Sequence, residues 1–224
     1  MHRGTELTMH PQTSRRSAPG LTVAPRRVVE LPIPESDQAL VAALKAGRND
    51  GKRALFDRYS DDVERVLCRI LGPDQEIVDL LQDVFVVALT SIDKLKNPDA
   101  LRSWLTGIAV RKARKCILRR RRWSIVRLFS PSDLPEREAI HAPAEVSEAL
   151  RDTYAVLAEL PADERIVFAL RHVDGMELVA VAAACGISLA TVKRRLSRAQ
   201  KRFCEHAQKH AALVEWLGRG DPWS

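Results

Sequence analysis

The chain has 224 residues, 46% of them hydrophobic but only 5% aromatic, and a formal net charge of +7. That length suits one ordinary core or two small ones, and a composition rich in Leu, Ala, Val, Lys, Arg and Glu lacks the β-branched and aromatic runs a sheet draws on, so an all-α fold is expected. The cationic excess favours a polyanionic partner over an acidic small substrate; no apolar stretch is long enough to span a bilayer, the first residues lack the apolar core of a signal peptide, and a cytoplasmic setting is expected.

Residues 1–35 carry Pro11, Pro19, Pro25, Pro32 and Pro34 without periodicity and read as a disordered tail. Ser36-Asp37 is a helix-capping signal ahead of Leu40, Val41 and Leu44, and Gly47 ends that short helix. A second helix is expected over 52–71, with Leu55, Tyr59, Val63, Val66, Leu67 and Ile70 on one face and Gly72-Pro73 as its stop. A third is expected over 74–92, then a polar turn to Pro98, then a fourth over 99–123. Between 124 and 144 the pattern breaks up around Pro131, Pro135 and Pro143, the mark of a flexible linker between two small helical domains. Further helices are expected over 145–159, 162–173, 176–185 and 188–205, and the tail 206–224 has room for a short one over 211–217.

The sharpest local pattern lies between Glu177 and Phe203. Leu178, Val181, Ala182 and Cys185 have the spacing of a buried helical stripe, Gly186-Ile187 makes a tight turn, and Ser188 caps the next helix. In that helix Val192, Leu196, Ala199 and Phe203 form the apolar face, while Lys193, Arg194, Ser197 and Arg198 form another. From Lys193 to Arg202 there are six basic residues and no acidic one. This is the pattern of a helix-turn-helix whose second helix enters a major groove, phosphate contacts giving affinity and side chains near its start reading bases. A plain helical hairpin with a solvated basic face has the same pattern.

The earlier helices carry opposite charges. The third holds Asp74, Glu76, Asp79 and Asp83 with no basic residue before Lys94, whereas the stretch from Arg102 to Arg127 holds Arg102, Arg111, Lys112, Arg114, Lys115, Arg119 to Arg122 and Arg127 with no acid. One suits a basic protein partner, and the other suits a phosphate backbone, because like charges so close together repel unless something anionic uses them. Cations beside aromatics also suit single-stranded DNA, so Trp104 is a candidate stacking residue, although packing with Leu101, Leu105 and Ile108 reads more simply as core. The four cysteines form no C-x-x-C pair and read as buried free thiols; Cys204, His206 and His210 lie within two helical turns but lack an evident fourth ligand, so no metal is expected.

Together these residues resemble the extracytoplasmic-function (group IV) sigma factors of bacterial RNA polymerase. Asp79-Leu-Leu-Gln-Asp-Val-Phe85 resembles one family signature, Leu101-Arg-Ser-Trp-Leu105 with Ile108-Ala109 a second, and Leu160-Pro161, Arg165, Leu170-Arg171, Gly175 and the run from Gly186 to Ala199 a third. The resemblance implies a region 2 domain over 36–123, which binds core polymerase and the −10 element, and a helix-turn-helix region 4 domain over 145–205, which binds the −35 element. It implies that Asp79, Leu80, Gln82, Asp83 and Phe85 contact polymerase. Asn97, Arg102, Trp104, Arg111, Lys112, Lys115 and Arg119 would hold the melted −10 strand, and Ser188, Thr191, Lys193, Arg194, Ser197 and Arg198 would read the −35 duplex. The linker would thread through polymerase toward its active centre. Such proteins are commonly held inactive by an anti-sigma factor, so the implied partners are core polymerase, promoter DNA and an anti-sigma factor, with the free chain a monomer. The sequence departs from the family's habits at Asp83, Leu89, Leu101 and Arg111, and at Ala180 and Ala183, where acidic residues are frequent.

The competing expectation is a free-standing dimeric helix-turn-helix regulator, which leaves the acidic Asp79–Asp83 stretch without a role. An enzyme is not expected, since the chain has no clustered carboxylates beside a basic cleft, no glycine-rich phosphate loop and no nucleophile–base pairing; no cofactor is expected either.

Overall fold

A computed structural model describes residues 35–129 and 148–218, so the expected N-terminal tail and most of the expected linker lie outside the described residues. Among those residues the secondary structure is helical, with no strand. Helix α1 (Asp37–Lys45) starts where Ser36 Oγ accepts from the Ala39 amide at 3.2 Å, and it buries Leu40, Val41, Ala43 and Leu44. Helix α2 (Asn49–Leu71) begins three residues before the expected Lys52, because the turn at Gly47 is complete by Arg48, whose guanidinium pairs with Asp50 in the first turn. The Tyr59 hydroxyl donates to Asp37 at 2.7 Å, tying α2 back to the start of α1. Burial and that contact push the phenol up to about 12.

Helix α3 (Glu76–Ser91) continues into a 3-10 turn over Ile92–Lys94, and a second such turn, Pro98–Ala100, leads into α4 (Leu101–Phe129). Asn97 caps this second turn, its side-chain oxygen accepting from the Asp99 amide at 3.1 Å. Helix α4 runs six residues past the expected end at Trp123, into the expected linker. Loss of apolar period does not end a helix; a breaker does, and Pro131 is the first one.

The C-terminal half comprises α5 (Glu148–Glu159), α6 (Ala162–Phe168), a π-helical turn (Ala169–Val173), α7 (Leu178–Cys185), α8 (Leu189–Ala207) and α9 (Ala211–Leu217). The π turn replaces the last part of the single helix expected over 162–173; the Asp174 amide reaches Ala169 O at 2.9 Å, and the Met176 amide reaches Leu170 O at 2.9 Å. Helix α8 ends two residues beyond the expected domain edge, and Ala207 and Leu213 are buried, so the first part of the expected tail belongs to this half's core.

One apolar cluster joins Leu55, Leu67, Ile70, Val84, Leu101, Leu105 and Ile108 of the first four helices to Ile166, Val167, Leu170, Val181, Val192 and Leu196 of the second half. A smaller one gathers Val156, Leu157, Leu160, Phe168, Phe203 and Leu213, with the Phe168 and Phe203 rings stacked at 4.7 Å. Burial of each large side chain contributes roughly 1.5–3 kcal/mol. The halves that the sequence divides into two domains therefore share a core, and each supplies part of what the other buries.

Candidate polymerase and DNA interfaces

Helix α3 has two faces. Ile77, Leu80, Val84, Phe85 and Ala88 are buried, while Val78, Asp79, Gln82, Asp83 and Val86 are exposed. The expected contact set thus divides: Asp79, Gln82 and Asp83 face outward, and Leu80 and Phe85 hold the helix in the core. Sequence reasoning missed Val78 and Val86, each 59% exposed, and Phe56 of α2, 44% exposed, whose ring lies 5.0 Å from that of Phe85. Their signal was available, because Val78, Gln82 and Val86 are spaced by four and fall off the buried stripe. These apolar side chains stand exposed on the same side as the exposed Asp79 and Asp83.

On α4, Arg111 and Lys115 are exposed and Trp104 is half-buried against the main core. Lys112 Nζ lies 2.7 Å from Asp83, so a candidate DNA residue is paired with a candidate polymerase residue. Arg102 sits 2.8 Å from Asp62, a contact that raises its pKa. Arg119 pairs with Glu76, and Arg120 pairs with Asp74 and, at 3.4 Å, with Glu76. The Cys116 thiol donates to the same Glu76 at 3.2 Å, and burial pushes that thiol's pKa up. The expectation that the arginine run must await an outside anion is corrected in part: the start of α3 supplies anions from within the chain. Arg111, Lys115 and Arg122 remain exposed and without an acidic partner among the described residues.

The helix-turn-helix forms as the spacing predicts. Helix α7 ends at Gly186, whose φ of 65° is left-handed, and Ser188 Oγ accepts from the Thr191 amide at 3.2 Å and lies 2.9 Å from the Thr191 hydroxyl. Val192, Leu196, Ala199 and Phe203 are buried, and Lys193, Arg194, Ser197 and Arg198 are exposed. Arg198 and Arg202 lie 3.4 and 3.2 Å from the buried Glu164, and Arg195 lies 2.9 Å from Asp163. Lys193 and Arg194 carry no such pairing among the described residues. His206 pairs with Glu159, and His210 lies 3.0 Å from Asp152, which binds the end of α8 to α5. Among the described residues no three His, Cys, Asp or Glu side chains converge as a metal site, and the four cysteines are free.

The halves meet through polar contacts that sequence reasoning did not anticipate. Arg165, 6% exposed, donates from Nε to Ile70 O at 2.8 Å and from Nη2 to Leu71 O at 3.0 Å. Burial, with Arg120 nearby, pulls its pKa down to about 10. The Tyr154 hydroxyl donates to Cys68 O at 3.0 Å, Arg121 donates to Glu159 O and Leu160 O at 2.9 and 2.7 Å, and Arg114 lies 2.7 Å from Asp163.

An all-helical chain with a helix whose exposed face is acidic and apolar, a basic helix beside it and a helix-turn-helix has the make-up of a DNA-binding protein. Residues 55–124 match the family described as Sigma-70 region 2, and residues 150–203 match Sigma-70, region 4. The chain is 27% identical over 175 residues to the ECF RNA polymerase sigma-E factor of Escherichia coli K12, covering 74% of this chain and 91% of that protein. The sigma-E factor of Haemophilus influenzae is 26% identical over 180 residues, covering 74% and 92%. Among solved structures, the sigma factor RpoE in complex with the anti-sigma factor NepR from Bartonella quintana is similar with a TM-score of 0.52 and 26% identity, over 71% of this chain and 97% of that one. CnrH in complex with the cytosolic domain of CnrY shares the fold, with a TM-score of 0.55 and 23% identity, over 78% and 99%. The chain belongs to the extracytoplasmic-function sigma factors, the subunits that direct bacterial RNA polymerase to promoters. These comparisons lend no support to a free-standing regulator.

Proposed function

We propose that this sigma factor docks on core polymerase through the outward face of α3, with Asp79, Gln82 and Asp83 making polar contacts and Phe56, Val78 and Val86 supplying apolar area. Leu80 and Phe85 act from behind by holding that face in place. The region 2 module, residues 36–123, then grips the melted −10 strand through Asn97, Arg102, Trp104, Arg111, Lys112, Lys115 and Arg119. The region 4 module, residues 145–205 with the last turn of α8, lays α8 into the −35 major groove. There Ser188, Thr191, Lys193, Arg194, Ser197 and Arg198 stand nearest the bases. The protein acts by binding, in the cytoplasm, and catalyses no reaction of its own. An anti-sigma factor, the partner carried by the Bartonella quintana relative, is its natural antagonist.

The observation that carries this reading is the set of exposed apolar side chains around Gln82 and Asp83, Val78 and Val86 on α3 and Phe56 on the neighbouring α2, beside the most basic helix. The test is a pull-down with core polymerase, comparing wild type with the double change Gln82→Ala and Asp83→Arg. Charge reversal at a desolvated contact is expected to weaken binding by at least about tenfold, or about 1.4 kcal/mol. Equal binding by both proteins would remove α3 as the docking helix.

A further inference from the structure

An arginine side chain is long and rich in rotamers, so whatever holds it decides where its donors point. On α8, Arg198 and Arg202 are spaced by four and share one side of the helix, with 54% and 50% of their side chains exposed. Behind them stands Glu164 of α6, only 6% exposed. Its Oε1 meets Arg198 Nε at 3.4 Å and its Oε2 meets Arg202 Nε at 3.2 Å, one oxygen for each guanidinium. Contact through Nε spares the two Nη groups of each arginine, the donors that fork onto the O6 and N7 acceptors of guanine or onto a phosphate.

Joining α6 to α8 does not need this carboxylate. Val192, Leu196 and Ala199 bury the inner face of α8, and Phe168 stacks on Phe203 at 4.7 Å. Glu164 is also a poor clamp, because its Oε2 is buried without an aligned hydrogen bond among the described residues. A buried carboxylate so placed costs stability, which points to a use other than holding the fold together. Asp163 beside it differs, since its partner Arg195 on α8 is only 24% exposed.

We propose that Glu164 is a positioning residue for promoter recognition. It holds Arg198 from behind so that the Nη groups meet a guanine of the −35 duplex, and it sets Arg202, one turn farther along α8, on the adjoining phosphate. This rests on the proposed placement of α8 in the −35 major groove. Glu164 itself touches no DNA, and its negative charge opposes the approach of phosphates. Removing it therefore has two effects of opposite sign: a general gain in affinity and a local loss of discrimination. A purely structural role does not give both.

The test uses the full chain bound to core polymerase and a pool of duplexes randomised over about one helical turn, with the bound fraction sequenced. Wild type is compared with Arg198→Ala, Glu164→Leu and Glu164→Gln. Wild type is expected to select guanine at one position, by about tenfold or more, and Arg198→Ala to remove that preference. Glu164→Leu is expected to cut the same preference to about a third or less, leaving the other positions as they are. Glu164→Gln keeps the shape and one acceptor oxygen, and is expected to fall between Glu164→Leu and wild type. Both are expected to bind the unselected pool at least as tightly as wild type. If the Leu variant does not fold, the isosteric Gln variant decides. A tighter grip on the pool with the guanine preference intact makes Glu164 a screening charge alone and overturns the positioning role. Preferences that weaken at every position together, with a lower thermal midpoint, overturn it in favour of a structural one. If wild type shows no guanine preference that Arg198→Ala removes, Arg198 reads no base, and the positioning role falls with that part of the proposed function. Docking on core through α3 is read separately, in the Gln82/Asp83 pull-down.

Discussion

At the residue scale, Gly72 and Gly186 separate two uses of a left-handed backbone. Both have positive φ, 82° and 65°, but a methyl at Gly186 meets nothing within 4 Å, whereas one at Gly72 meets the Tyr154 ring at 2.9 Å. Gly186→Ala is therefore expected to cost only backbone strain, about 1–2 kcal/mol, read as a lower urea midpoint. Gly72→Ala carries strain of about 1–3 kcal/mol and also displaces the ring from its seat, so it is expected to lower the midpoint further. Equal midpoints for the two variants would mean that the Tyr154 contact contributes nothing to stability.

At the element scale, Asp163 at the start of α6 ties three helices, facing Arg114 of α4 and Arg195 of α8. The Arg114 hydrogen bond, with Arg195 adding to it and burial opposing, holds its pKa below the ordinary 3.8. A carboxylate with a depressed folded-state pKa contributes stability that is complete above its unfolded pKa and is lost as pH falls through the folded one. Wild type is thus expected to exceed Asp163→Asn in stability at pH 7 by about 0.5–1 kcal/mol, a modest figure because the pair is partly solvated. Urea midpoints of the two proteins should converge below about pH 4, given the 3.8 reference. Parallel midpoints down to pH 3 would show that the pair does not stabilise the fold. Much of this scale could be read from the chain. The α2 stripe from Leu55 to Ile70, the Ser36 and Ser188 caps and the Gly186 turn follow from neighbours within a few residues, and local spacing reports on those. What escaped was long-range. Arg165 and Ile70 are 95 residues apart, and an arginine in sequence looks like a surface residue until a crossing helix end offers carbonyls. The pairing of Arg119 with Glu76 across 43 residues likewise depends on how α3 and α4 cross, and so the basic run read as more available than it is.

At the scale of the whole molecule, reach decides between two accounts of the segment joining the halves. Eighteen residues separate Phe129 from Glu148, and they can span at most about 65 Å. Element spacing of roughly 85 Å must be made up from that span and the dimensions of the two modules, leaving little surplus. If the segment acts only as a tether, its response to length is asymmetric. Deleting six residues removes about 20 Å of reach and is expected to abolish dependence of transcription on the −35 element, with core binding in the pull-down unchanged. Inserting six Gly and Ser residues adds only a few tenths of a kcal/mol of closure entropy, so transcription from the same promoter is expected to fall less than about twofold. A segment that instead threads through polymerase and makes contacts there would not tolerate the insertion. Equal loss in both variants would assign residues 130–147 a binding role, and would mean that promoter spacing is read by polymerase and segment together rather than by reach alone.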